Sequence, residues 1–287
     1  MEWISKSKVM IVGLGLMGGS YAKALKRLGY HVAAIDIDPE AISYALGAGL
    51  IDEGYTEVLP EAVESADALI FALYPGVFRN WIEENQGYLR SGAMLTDVTG
   101  VKTCVVYEIQ KILRADVEFI AAHPMAGREV YGVKNSDDRI FRDANYIVVP
   151  TEKNTPEAIE WCKQLGKILG FARISTCSPE EHDRMIGFLS QLTHCIAVAL
   201  MTCTDNRHLA EFTGDSFRDL TRIANINDAM WSELFLLNRD VLTEDIDLFI
   251  SEMTGLRDLL AKGDREGLRE KMRLSTARRA YFNKPGK

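Results

Sequence analysis

The sequence predicts an α/β protein: a doubly wound, mostly parallel sheet followed by an all-α helical region. Three observations carry this expectation. Short apolar runs without alternation are separated by amphipathic stretches through the first 177 residues, the pattern of parallel strands covered on both faces. A glycine-rich turn links the first such run to the first amphipathic stretch. From Ser178 onward helical periodicity runs on with few strand signals. The expected domains are therefore 1–177 and 178–287.

In chain order, strands are expected at 8–12, 31–35, 68–73, 93–98, 117–122, 146–149 and 172–176. Helices are expected at 17–28, 39–46, 101–113 and 156–169. The stretch 9–16 is apolar enough to resemble the core of a signal peptide. It is short and punctuated by glycine, so it reads as a strand. Ser178-Pro179-Glu180-Glu181 opens the helical region. Serine caps, proline suits the first turn and glutamate completes a capping box. Helices follow at 179–204, 217–224, 228–237, 243–262 and 265–282. The first carries Ile196 to Met201 as six consecutive apolar residues. A helix apolar on nearly every side must be covered on nearly every side, and an intertwined homodimer is the expected cover. The other reading is the central helix of a monomeric bundle.

Bulk properties narrow the class. The 287 residues are 47% hydrophobic and 26% charged, with a net charge of −8, so neither nucleic acid nor an anionic membrane is an expected partner. No apolar run reaches membrane-spanning length. Five cysteines stand at 104, 162, 177, 195 and 203, with no Cys-x-x-Cys pair. Neither a disulfide framework nor a metal site is indicated, and a reducing cytoplasm is the expected setting.

Gly13-Leu14-Gly15-Leu16-Met17-Gly18 is a G-x-G-x-x-G motif between a strand and a helix, the context of a Rossmann-type dinucleotide site. Gly13 makes the tight turn, Gly15 admits the pyrophosphate and Gly18 packs the helix on the strand. The helix N-terminus offers unpaired N–H groups to the phosphates. Asp36 ends the second strand, 23 positions after Gly13, where an acid binds the adenosine ribose. No lysine or arginine stands among residues 37–40, so NAD is expected over NADP. Leu73, Tyr74 and Pro75 end the next apolar run and are expected to line the cofactor pocket. Thr99 is expected near the nicotinamide.

His123 follows the apolar run 117–122 and precedes Pro124, which cannot donate to a strand ladder. The imidazole is therefore expected at the carboxyl edge of the sheet, where open α/β folds bind ligands. Taken alone, such a histidine equally reads as a strand cap. With the glycine motif upstream it points to a dehydrogenase base.

At these residues the chain resembles the prephenate/arogenate dehydrogenase family of tyrosine biosynthesis. The resemblance rests on Gly13-x-Gly15-x-x-Gly18-Gly19-Ser20, Asp97-Val98-Thr99-Gly100-Val101-Lys102, His123-Pro124-Met125-Ala126-Gly127-Arg128-Glu129, Ser190-Gln191-Leu192-Thr193-His194 and Asp219-Leu220-Thr221-Arg222-Ile223-Ala224. It implies oxidative decarboxylation of a cyclohexadiene ring, with hydride passing to NAD and aromatisation as the driving force. His123 would take the proton of the 4-hydroxyl, and an imidazole suits that role at neutral pH.

By the same resemblance Arg222 grips a substrate carboxylate with two parallel bonds, where sequence alone would favour a helical ion pair with Asp219. His194, Gln191 and Ser190 would lie by the substrate, and Glu129 near the entrance. Gly187, Gln191 and His194 fall on one face of an ordinary helix. Two departures stand out. Family members commonly carry a serine at Gly100, leaving Thr99 as the nearby hydroxyl. Many carry histidine at Gln191 and proline at Thr193. The length leads us to expect a monofunctional enzyme. The residues do not separate prephenate from arogenate. A 3-hydroxyacid or 6-phosphogluconate type would place a lysine on the long helix, and residues 182–204 hold none. A non-catalytic NAD-binding sensor is the remaining alternative.

Overall fold

The computed structural model describes residues 3, 7–205 and 207–283. A six-stranded parallel sheet has the order β3-β2-β1-β4-β5-β6, and a second sheet has the order β7-β8-β9. The strands are β1 (Lys8–Val12), β2 (His31–Ile35), β3 (Glu53–Tyr55), β4 (Ala68–Phe71), β5 (Met94–Asp97), β6 (Glu118–Phe119), β7 (Ala121–Pro124), β8 (Asn145–Val149) and β9 (Arg173–Thr176). Between them run α1 (Leu16–Arg27), α2 (Pro39–Gly47), α3 (Pro60–Glu64), α4 (Pro75–Asn85), α5 (Thr103–Ile112) and α6 (Pro156–Leu169).

Strand alternation builds two cores. Val9 and Ile11 face one side with Tyr21 and Leu25 of α1 and Trp161 and Leu165 of α6. Met10 and Val12 face the other with Phe78, Trp81 and Ile82 of α4 and Val106 and Ile109 of α5. Both faces are dry, which is why the strands carry apolar runs without polar alternation. The sequence shows no run for β3, because its three residues are only half-buried. The short α3 and α4, each opened by a proline, also lie outside the sequence reading.

The expected strand 117–122 is divided. Residues 118–119 pair with β5, and 121–124 pair antiparallel with β8. His123 thus stands on the second sheet, one residue past the Ala122 N–H that meets Asp97 at the carboxyl end of β5. The strand does not stop at the histidine, since Pro124 still pairs with Tyr146. The division occurs where β5 ends: the Ala122 N–H donates to the Asp97 carboxylate at 3.1 Å.

Helices then follow: α7 (Pro179–Ile186), α8 (Leu192–Thr202), α9 (Asp215–Thr221), α10 (Asp228–Leu237), α11 (Arg239–Lys262) and α12 (Arg265–Arg279). Ser178 caps α7 by accepting from the Glu181 N–H. A π-helical turn, Gly187–Gln191, separates α7 from α8, where the sequence predicts one unbroken helix. The chain divides into two compact units, one ending at Asn238 and the other starting at Arg239. The change to all-helical structure after residue 177 lies inside the first unit. In the second unit α11 and α12 pack on each other, with Lys271 paired to Glu252.

One expectation needs correction. The helix Pro179–Thr202 is long and apolar enough, by length and composition, to cross a membrane. Counting unbroken apolar runs misses it, because its polar residues are interspersed. Only 28% of its most apolar window is buried within the chain.

Candidate active site

The glycine turn is built as its spacing requires. Gly13 has φ +97, and a Cβ there would stand 2.5 Å from the Ala72 carbonyl oxygen. A Cβ on Gly18 would reach 1.9 Å from the Gly13 oxygen. These two glycines serve the protein's own packing. Gly15 is different. It is exposed, with nothing within 4 Å of a Cβ, so no protein contact demands glycine there. What it leaves open is the approach to the N-terminus of α1, which has neither a side-chain cap nor an acidic residue in its first turn. Leu16 and Met17 are half-buried beside it.

Asp36 accepts from the N–H groups of Leu14 and Asp38, which orient its carboxylate toward the same turn. Ile37 beside it is 92% exposed, an apolar surface available to a planar base. Leu73 packs over Gly13, and Pro75 opens α4, whose Gly76 N–H is met by Glu233 of α10. The residues present fit a dinucleotide: an uncapped helix N-terminus, an unobstructed glycine and an acid with no cation beside it.

A buried charged cluster lies between the end of β5 and the start of α5. The Lys102 ammonium and Asp97 carboxylate are both fully buried and 2.6 Å apart. Breaking such a pair from one side costs about 3–5 kcal/mol. The Thr99 hydroxyl contacts Asp97 and the Val101 carbonyl, and accepts from Lys102 at 3.0 Å. The sequence places Thr99 beside the nicotinamide. Its hydroxyl is instead committed inward, because Lys102 needs oxygen partners where no water reaches.

His123 is the partly exposed residue of β7. Its Nδ1 lies 2.9 Å from Nε2 of His182, whose Nδ1 lies 2.8 Å from the Asp183 carboxylate. Asp183 also accepts from the backbone N–H groups of Lys102 and Thr103, at 2.8 Å each, and so caps α5. Burial opposes its charge, but the bonds from His182 and Thr103 outweigh that and hold its carboxyl below the ordinary range. Burial pushes His123 well below the usual histidine value, with the charges of His182 and Lys102 adding to the effect. Burial also lowers His182, against the pull of Asp183. Both imidazoles are therefore neutral at pH 7.

A second group gathers nearby in sequence. Arg222, where α9 passes into a short 3₁₀ turn, pairs with Glu129 rather than with Asp219. Glu129 stands on the loop that leaves β7 six residues after His123. His194 donates from Nδ1 to the Ser190 carbonyl and stacks on Trp231 with ring centroids 3.7 Å apart. Burial lowers His194, and the charges of Glu129 and Arg222 act on it in opposite senses. Two chain segments, 123–129 and 182–194, thus each contribute to both groups.

Gln191 stands apart. It is buried, donates to the Leu234 carbonyl and accepts from Asn238. The sequence places it on the face of His194, as an ordinary helix would. Its amide is instead engaged by Leu234 near the end of α10 and by Asn238 just beyond it. His182, Asp183, Lys102 and Trp231 escape the sequence reading as partners of the site. The adjacent His182-Asp183 pair in the first turns of α7 is the signal that was available.

With this geometry in view, residues 21–174 match the family model for the prephenate dehydrogenase nucleotide-binding domain, and residues 178–274 match that for the prephenate dehydrogenase dimerization domain. The chain belongs to the prephenate dehydrogenase family. A prephenate dehydrogenase of Bacillus subtilis (strain 168) is 31% identical over 270 residues, which cover 92% of this chain and 72% of that protein. The crystal structure of prephenate dehydrogenase from A. aeolicus in complex with hydroxyphenyl propionate and NAD+ superposes with a TM-score of 0.88 at 32% identity. That match covers 98% of this chain and 100% of the other. Synechocystis arogenate dehydrogenase shares the fold, with a TM-score of 0.81 at 22% identity over 96% of this chain and 100% of that one.

Proposed function

We propose that this chain is an NAD-dependent prephenate dehydrogenase that converts prephenate to 4-hydroxyphenylpyruvate. One observation carries the reading: a partly exposed His123, held from behind through Nδ1, with Nε2 meeting no protein partner among the described residues. Such a group accepts the proton of a substrate hydroxyl as the carbon–oxygen bond gains carbonyl character. NAD, when bound, supplies the hydride acceptor. Gly13, Leu14, Gly15, Leu16, Met17 and Gly18 would hold its pyrophosphate, Asp36 its ribose, and Leu73 and Pro75 the neighbouring wall.

Arg222 is assigned to a substrate carboxylate. Its pair with Glu129 is substantially exposed and therefore worth only about 0–1 kcal/mol, so a substrate anion can replace it. Ser190 and His194 are assigned to the same end of the substrate. Gln191 and Thr99 act from inside the protein, by holding α10 and the Lys102 cluster. We keep 1–177 as the nucleotide half and 178–287 as the substrate and dimerisation half. The assembly is proposed to be a homodimer working in the cytoplasm.

The test is NADH formation with prephenate, with arogenate assayed alongside. Turnover is expected with NAD and little with NADP. His123→Asn is expected to lower kcat by about 10²–10⁴ with NAD affinity retained. Arg222→Gln is expected to raise KM for prephenate strongly. NAD binding without turnover by the intact chain would replace this reading with that of a sensor. A His123→Asn variant that loses cofactor binding but keeps kcat would remove the base.

A further inference from the structure

We propose that Asp183 and His182 form a relay that fixes the tautomer of His123, presenting its Nε2 as an unprotonated acceptor to the substrate. The relay rests on the reading of His123 as the base and names the residues that make it one. Hydrogen-bond polarity gives the order. An ionised carboxylate only accepts, so the bond between Asp183 and Nδ1 of His182 obliges that nitrogen to carry hydrogen. In a neutral imidazole the other nitrogen is then an acceptor. His182 Nε2 therefore receives, and His123 Nδ1, 2.9 Å away, must donate. That leaves the lone pair of His123 on Nε2.

The anchoring end is rigid. Asp183 is held by two N–H groups at the start of α5 while its own carbonyl accepts from Asn238. The charged groups around the relay are Lys102 at the start of α5 and Asp97 at the end of β5, bound to each other, and Asp183 on α7. None of them is assigned to substrate or cofactor. His182 and Asp183 are thus positioning residues. They act through His123, as the acid of a serine-protease triad acts through its histidine, where the wrong tautomer costs about 10⁴ in kcat.

The experiment reads tautomers and rates on the full chain. The protein has five histidines, so long-range ¹H–¹⁵N correlation spectra can be assigned by single substitutions. His123 is expected to carry hydrogen on Nδ1. In Asp183→Asn the amide can donate to His182, which reverses the relay. His123 should then carry hydrogen on Nε2, with kcat lower by about 10²–10⁴ and KM for NAD unchanged. Should loss of the α5 cap unfold that variant, His182 provides the second arm. His182→Gln, whose amide oxygen can accept where Nε2 did, is expected to keep at least tenfold more activity than His182→Leu. Hydrogen on Nε2 of His123 in the unsubstituted protein overturns the relay. So does equal activity of the Gln and Leu variants. A reversed tautomer with unchanged kcat would instead retain the relay and overturn His123 as the base.

Discussion

At the scale of single residues, the site is governed by where water is excluded. Burial, His182 and Lys102 together depress His123. A base whose pKa is depressed keeps its lone pair at lower pH. The acid limb of kcat/KM, which reports the free enzyme, is therefore expected to fall well below the ordinary histidine value of about 6.5. A pH profile with that limb at 7 or above would mean that the group titrating is not this imidazole. His123, Arg222 and Glu129 were legible because they sit in distinctive local sequence. His182 was not, since its role depends on a contact across 59 positions of chain. In sequence Thr99 looks like a group beside the nicotinamide and Gln191 like a substrate group, yet both hydrogen-bond inward. Their partners, Lys102 and Asn238, come from elements whose packing no local pattern discloses.

At the scale of elements, the glycine turn separates two kinds of necessity. Gly18→Ala is expected to destabilise the fold strongly, because its Cβ would collide with the Gly13 backbone, which cannot give way as a side-chain tip can. Gly15→Ala meets no atom. It is expected to leave the melting temperature within about 2 °C of the parent while weakening NAD binding at least tenfold. Melting curves and cofactor titration of both variants check this. Equal loss of stability in both would make the motif merely structural. Strand and helix order was readable from the glycine motif and the apolar runs. The short β3 and the π turn were not, because each is set by what packs against it, whereas Pro60 and Pro75 offered a local signal for the starts of α3 and α4 that the reading of the apolar runs passed over.

At the scale of the molecule, the apolar helix Pro179–Thr202 remains largely uncovered by its own chain. Large apolar side chains of the first unit stand in the open as well, Phe212 at 82% exposure and Leu236 at 70%. An exposed apolar surface on that scale marks an interface. A central helix of a monomeric bundle would be covered already. Sedimentation velocity is therefore expected to show a species of twice the chain mass at micromolar concentration. A lone monomer there, still active, would remove the homodimer from the account.

The π turn between α7 and α8 carries a further consequence. It sets the angular offset between the histidine that backs His123 and the one stacked on Trp231. Deleting a single residue from 187–191 would swing His182 out of phase with His194 while leaving both imidazoles chemically intact. The length of this segment is then as much a part of the arrangement as the side chains it carries.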